Sequence, residues 1–118
     1  MILVDTSVWV QHLREGNKNL KALLENGEVL CHPFIIGELA CGNIRNRREI
    51  LSLLSRLPTA SEAEHEEVLR YIETNRLMGK GLGYVDMHLY VPAVLTGVLL
   101  WTFDKSLKTI CKTMNLRY

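Results

Sequence analysis

Met1-Ile2-Leu3-Val4-Asp5-Thr6-Ser7 opens the chain: an apolar run with no polar break, ended by an acid and two hydroxyl residues. A strand covered on both faces reads this way, because side chains on alternate sides all meet apolar neighbours. The carboxylate then falls at the strand's C-terminal end, where open α/β sheets carry their sites. The pattern returns as Val98-Leu99-Leu100-Trp101-Thr102-Phe103-Asp104. Two apolar strands that each end in Asp predict one shared acidic rim.

Between these strands, helix-like and strand-like patterns alternate without an internal repeat or low-complexity tract, which favours a layered α/β domain. Residues 1–5 read as the first strand, and Ser7 as the cap of a short helix to about Leu13. A helix over 18–26 is stopped by Gly27, and 28–32 read as a second strand. Pro33 suits the first turn of a helix over 34–41, where its missing N–H costs nothing. A helix over 47–57 is closed by Pro58, with an extended segment at 57–60. Ser61 and Glu64 form a capping-box pattern that starts a helix to about Met78. After the Gly79–Gly83 connection come a helix from Tyr84 to about Thr96, a strand over 98–103, a helix over 106–115 and an edge strand at 116–118. Pro92 should kink the helix that contains it, because it removes the hydrogen bond to the carbonyl of His88.

The 118 residues suffice for one domain with a substantial core and not for two, so 1–118 is read as a single domain. No apolar stretch reaches the roughly 18 residues of a membrane span. No basic leader precedes the first strand, so a cytoplasmic protein without membrane partners is expected. Cys31, Cys41 and Cys111 are odd in number and contain no C-x-x-C, which argues against a disulfide framework and against zinc. The formal net charge of +1 hides an asymmetry. If four of the 13 acids share one pocket, the rest of the chain is basic, with 14 Lys and Arg. A negative pocket in a basic surface suits a polyanion handled through metal ions.

Four acids interrupt or end apolar stretches: Asp5, Glu38 within Phe34–Ala40, Asp86 within Tyr84–Leu89, and Asp104. Each has a plain reading when taken singly. Asp5 and Asp104 could cap the helices that follow them. Glu38 could face solvent, and Asp86 could favour a helix N-terminus through the dipole. Taken together, the acids sit where a doubly wound sheet brings strand ends and following helices to one rim. Four carboxylates there repel one another without counter-charge. Oxygen-only ligation selects Mg²⁺ or Mn²⁺, and such ions promote hydrolysis of phosphodiesters.

Asp5-Thr6-Ser7, the Glu38 helix, Gly83-Tyr84-Val85-Asp86-x-His88-Leu89 and Thr102-Phe103-Asp104-Lys105 resemble the ordered motifs of PIN-domain ribonucleases, most closely the VapC-type toxins of toxin–antitoxin pairs. The likeness spans nearly the whole chain. It implies a three-layer α/β/α PIN-like domain with a central, mostly parallel sheet of four or five strands. It also implies an Mg²⁺- or Mn²⁺-dependent endoribonuclease acting on structured RNA, often tRNA or rRNA, a cognate antitoxin, and a homodimer. By matching motifs, Asp5, Glu38, Asp86 and Asp104 would be both the catalytic and the metal-binding quartet, with Thr6 and Thr102 as supporting hydroxyls.

Other features read more plainly. Gly79-x-Gly81-x-Gly83 follows a helix pattern rather than a strand, so it is a flexible connection and not a phosphate loop. His12, His32, His65 and His88 are scattered, and His88 points away from Asp86 on a helix. Arg45, Arg47 and Arg48 crowd a helix start, against the dipole, which suits phosphate contact, a solvated surface or a groove for an antitoxin tail equally. Lys105, Lys108 and Lys112 lie at helical spacing beyond Asp104 and suit either RNA backbone or solvent. Two other functions fit the same residues: a non-catalytic RNA- or protein-binding module of this fold, and phosphotransfer at Asp5.

Overall fold

Strand β1 (Ile2–Val4) lies at the centre of the sheet, paired in parallel with β2 (Val29–Leu30) on one side and β3 (Leu99–Trp101) on the other. Ile2 pairs with Val29 and Leu99, and Val4 with Trp101. All three β1 residues are buried although their side chains alternate in direction, so both sheet faces are covered. Seven helices do the covering in the computed structural model, which describes residues 1–118. They are α1 (Thr6–Glu15), α2 (Lys18–Glu25), α3 (Pro33–Ala40), α4 (Arg47–Ser55), α5 (His65–Asn75), α6 (Tyr84–Thr96) and α7 (Lys105–Thr113). No helix is long and apolar enough to cross a membrane.

The sheet has three strands, not the four or five expected. The missing strands are present as single bridges. Cys31 pairs with Thr59, donating to Pro58 O and accepting from Ala60 N. Leu100 pairs with Arg117 through bonds to Leu116 and Tyr118. One residue in register satisfies one exchange of hydrogen bonds and cannot extend into a ladder.

Two helix starts also differ from expectation. Asp5, not Ser7, occupies the cap position of α1, and Ser7 lies inside the helix. Glu64, not Ser61, precedes α5, its N–H donating to Glu67 Oε1 at 3.0 Å. Arg47 packs back on the preceding helix, its Nε and Nη2 both donating to Ala40 O, at 3.1 and 2.8 Å, and closing the end of α3.

Helix α6 runs unbroken through Pro92. Proline in a helix interior costs about 3 kcal/mol. Every residue from Met87 to Ala93 is buried. Full burial of a large apolar side chain contributes about 1.5–3 kcal/mol, so Leu89 and Val91 alone offset that penalty. Gly97, at φ +70°, ends α6 in the left-handed conformation and turns the chain into β3.

Candidate active site

The parallel sheet sends β1 and β3 in one direction, so Asp5 and Asp104 leave it at the same edge. The backbone of Asp5 continues the ladder, its N–H donating to Trp101 O at 2.9 Å. Its side chain is 6 % exposed and does not cap α1. Instead, Asp5 Oδ2 accepts from Thr102 Oγ1 at 2.7 Å and from Ser7 Oγ at 2.9 Å. Neither bond engages Oδ1.

The two hydroxyls are held in turn by the β3–α7 loop. Thr102 Oγ1 accepts from Asp104 N–H at 3.0 Å, and Ser7 Oγ accepts from Phe103 N–H at 3.0 Å. Each hydroxyl has one proton and gives it to Asp5. The 3.4 Å approach of Ser7 to Thr102 is therefore a contact between two acceptors, not a further bond. The resulting cage joins the two strand ends through Asp5, Ser7, Thr102 and Asp104.

The other acids are also held by one oxygen each. Asp104 Oδ2 accepts from Leu107 N–H at 2.9 Å and caps α7. Asp86, in the first turn of α6, has its Oδ2 on Gly83 N–H at 2.9 Å. Glu38 Oε1 accepts from Thr6 Oγ1 at 2.6 Å, which ties α3 to the start of α1. The capping reading of Asp104 thus holds, Asp86 lies in the first turn of α6 where the helix dipole favours it, and each carboxylate keeps a second oxygen that these bonds leave free.

Asp5, Asp86 and Asp104 share one electrostatic field. Burial lifts the Asp86 carboxyl above its usual range. The Gly83 N–H partly opposes this, and the charges of Asp5 and then Asp104 add to the rise. Asp5 also reaches Cys111: burial first, then the Asp5 charge, push that thiol up to about 12. A thiol so disfavoured as thiolate, and wholly buried, is core and not nucleophile. The hydrogen bonds to the four acids come from hydroxyls and backbone N–H groups, none of them cationic.

As the side chains stand, no three His, Cys, Asp or Glu converge on one ion position. Mg²⁺ does not require such a cage. It commonly keeps several waters and takes one or two carboxylates. Hard oxygens, uncompensated negative charge and a free oxygen on each acid fit that mode of binding.

Thr102 supports Asp5 directly, whereas Thr6 supports Glu38. Ser7 is the residue that sequence reading missed as part of the site. Its signal was present: a hydroxyl two positions after a strand-end acid, at the first turn of a helix, can fold back on that acid.

Beside the acids lies an aromatic row. His32, the cap residue of α3, is 1 % exposed, and its Nδ1 accepts from Phe34 N–H at 3.0 Å. Phe34 meets the buried His88 with ring centroids 5.0 Å apart, and Tyr84 meets it at 4.4 Å. His88 therefore belongs to the packing between α3 and α6, the helices that carry Glu38 and Asp86.

The PIN domain profile matches residues 2–113. Two curated relatives, each named Ribonuclease VapC32, come from the CDC 1551 / Oshkosh and ATCC 25618 / H37Rv strains of Mycobacterium tuberculosis. The chain is 48% identical to each over 112 residues, covering 94% of its own length and 90% of the relative's. The strand-end acids, the parallel sheet and this near-complete match agree: the chain belongs to the PIN domain family.

Proposed function

We propose that this chain is a metal-dependent endoribonuclease and the toxin of a type II toxin–antitoxin pair, acting in the cytoplasm on structured RNA such as tRNA or rRNA. The observation that carries the reading is that β1 and β3 end at one sheet edge in Asp5 and Asp104, joined through Thr102 and Ser7, with neutral hydrogen-bond partners only. The relatives' printed name, ribonuclease, supports the activity.

Asp5 and Asp86 would hold Mg²⁺ or Mn²⁺, with Asp104 and Glu38 completing the site directly or through water. When bound, such an ion would supply a nucleophilic water at neutral pH and charge compensation for the phosphodiester. Ser7 and Thr102 fix Asp5 so that its carboxylate does not reorganise when an anionic substrate arrives. Asp104 and Asp86 are fixed by the helix starts they cap. The products would carry a 3′-hydroxyl and a 5′-phosphate.

A single cluster of 26 buried residues supports reading 1–118 as one domain. An apolar groove of about 320 Å³, lined by Trp9, Leu13, Leu24, Ile50, Leu53 and Leu57, supports a protein partner. The antitoxin and a second copy of the chain are both included in the proposal.

The open spacing of the acids favours one alternative, a non-catalytic RNA-binding module of the same fold. Sequencing of RNA ends after brief expression separates the two. Asp5→Asn keeps both hydroxyl bonds, because the amide oxygen accepts as the carboxylate does. It should therefore fold normally yet cut at least about 100-fold more slowly, the scale of losing a main transition-state interaction. Full activity in Asp5→Asn removes the mechanism. Metal-independent RNA binding without cutting selects the alternative.

A further inference from the structure

A cavity of about 490 Å³ lies between α5, the 79–83 loop, α6 and α7. None of its lining residues is among the acids, yet it shares their supports. Lys105 and Ser106, on its wall, follow Asp104 directly. The loop that supplies Lys80 ends at Gly83, whose N–H holds Asp86. Lys105, Thr109 and Thr113 stand one helical turn apart along α7, so the cavity wall runs about 12 Å away from Asp104.

The lining combines three chemistries. Lys80 and Lys105 supply two ammonium groups. Asn75 supplies an amide that gives one of its protons to Tyr71 O and keeps the other, Ser106 a hydroxyl that can donate and accept, and Thr109 a hydroxyl that donates to Lys105 O and is left as an acceptor. Tyr71 supplies an aromatic ring, set edge-to-face on the buried Tyr90 at 6.2 Å. Half of the twelve lining residues are hydrophobic, against seven of eight in the groove by Trp9. An apolar protein segment suits that groove. A flat polar ring with a phosphate attached suits this cavity, which has the size of a small-molecule pocket, about 300–1,000 Å³.

We propose that this cavity receives a base of the RNA next to the scissile phosphate, stacking it against Tyr71, reading its edge with Asn75 and the α7 hydroxyls, and steadying flanking phosphates with Lys80 and Lys105. Stacking gives affinity for any base, while amide and hydroxyl groups discriminate between edges. The inference deepens the ribonuclease reading by assigning the residues that choose where the RNA is cut, and it rests on that reading.

The test uses the full chain with metal chelated, titrated separately with the four ribonucleoside 5′-monophosphates and followed by amide NMR. At least one nucleotide should give saturable shifts at Asn75, Thr109 and Thr113. Inorganic phosphate should reproduce only the shifts near Lys80 and Lys105. Thr109→Trp fills the cavity from an exposed helix position and should abolish the nucleotide shifts; Asn75→Ala, a milder change, should weaken binding several-fold. No saturable shift with any nucleotide, or unchanged binding in both variants, overturns the proposal. Sequenced RNA ends give the second readout. Wild type should prefer one base at a fixed position beside the cut, and Thr109→Trp should lose that preference and cut about tenfold more slowly, the scale of one lost base-stacking interaction. A variant that keeps rate and preference overturns the cavity assignment and leaves the nuclease standing. Nucleotide shifts in a chain whose Asp5→Asn variant cuts as well as wild type overturn the proposed acid-and-metal mechanism and keep the pocket.

Discussion

Thr102 shows how one buried hydroxyl ties two acidic residues together. It donates to Asp5 and accepts from the Asp104 backbone, at 3 % exposure. Thr102→Val keeps the shape and removes both bonds. It should cost about 1–3 kcal/mol, the penalty for stranding buried polar groups, and lower cleavage as Asp5 loses its anchor. Thr102→Ser should restore most of both, read from urea midpoints and cleavage rates. His32 makes a separate prediction about pH. Burial holds its pKa below 6.5; Glu62 acts against that shift and His88 adds to it. The unfolded chain therefore takes up a proton more readily than the folded one. Stability should fall on acidification below about pH 6.5, by at most about 1.4 kcal/mol per pH unit for each such group. His32→Asn keeps a side-chain acceptor for Phe34 N–H, since Asn is a favoured helix cap. Its stability should fall less steeply between pH 6.5 and 5 in urea titrations; an unchanged slope would show that His32 does not titrate there.

At the scale of elements, the loop between α5 and α6 runs against the start of α7. Gly79 and Gly81 both have positive φ, +71° and +75°. A Cβ at Gly79 would meet open space, whereas one at Gly81 would stand 2.8 Å from Ser106 Oγ. Gly79→Ala should cost only the left-handed strain, about 1–2 kcal/mol. Gly81→Ala should cost more, and Ser106→Ala should recover the excess in a double-mutant cycle. Additivity in that cycle would mean that the loop does not press on α7. The helices were largely legible because their apolar spacing and stop residues are local. Pro33 and Gly97 fall where the sequence places them, and α6 spans Tyr84–Thr96 as its pattern predicts. The capping residues of α1 and α5 were less legible, because several adjacent polar residues can cap and tertiary contacts choose among them. Ser7 gives its hydroxyl to Asp5 instead of its own helix start.

At the scale of the whole molecule, the acidic rim is a cost to the fold without a cation. The raised pKa of Asp86 means that the folded state holds that proton more tightly than the unfolded chain. The associated stability is present at low pH and is lost as pH rises through the folded pKa. Near neutral pH and without metal, Asp86→Asn should therefore raise the urea midpoint, its amide oxygen keeping the Gly83 bond, while cleavage is lost. Mg²⁺ at about a hundred times its dissociation constant should stabilise wild type by about 2.7 kcal/mol, and the variant by less. A wild-type midpoint indifferent to Mg²⁺ and Mn²⁺ would remove the metal from the proposed function. The radius of gyration, 13.9 Å, is close to the roughly 13.5 Å of one compact domain of this length, which supports the single-domain proposal. Sequence alone determined the two strands that end in acids and the helices between them, because apolar periodicity and chain breaks act over a few residues. Glu38 and Asp86 were legible as site candidates because each interrupts an apolar stretch, and Thr6 and Thr102 through the family motifs that place them beside acids. Only the tertiary structure decided that the outer strands shrink to single bridges, that Ser7 joins Thr102 around Asp5, and that a cavity opens beside Asp104. Those outcomes depend on which distant side chains meet across the sheet and helices, and hydrogen-bond partners nearly a hundred residues apart leave no pattern in local spacing.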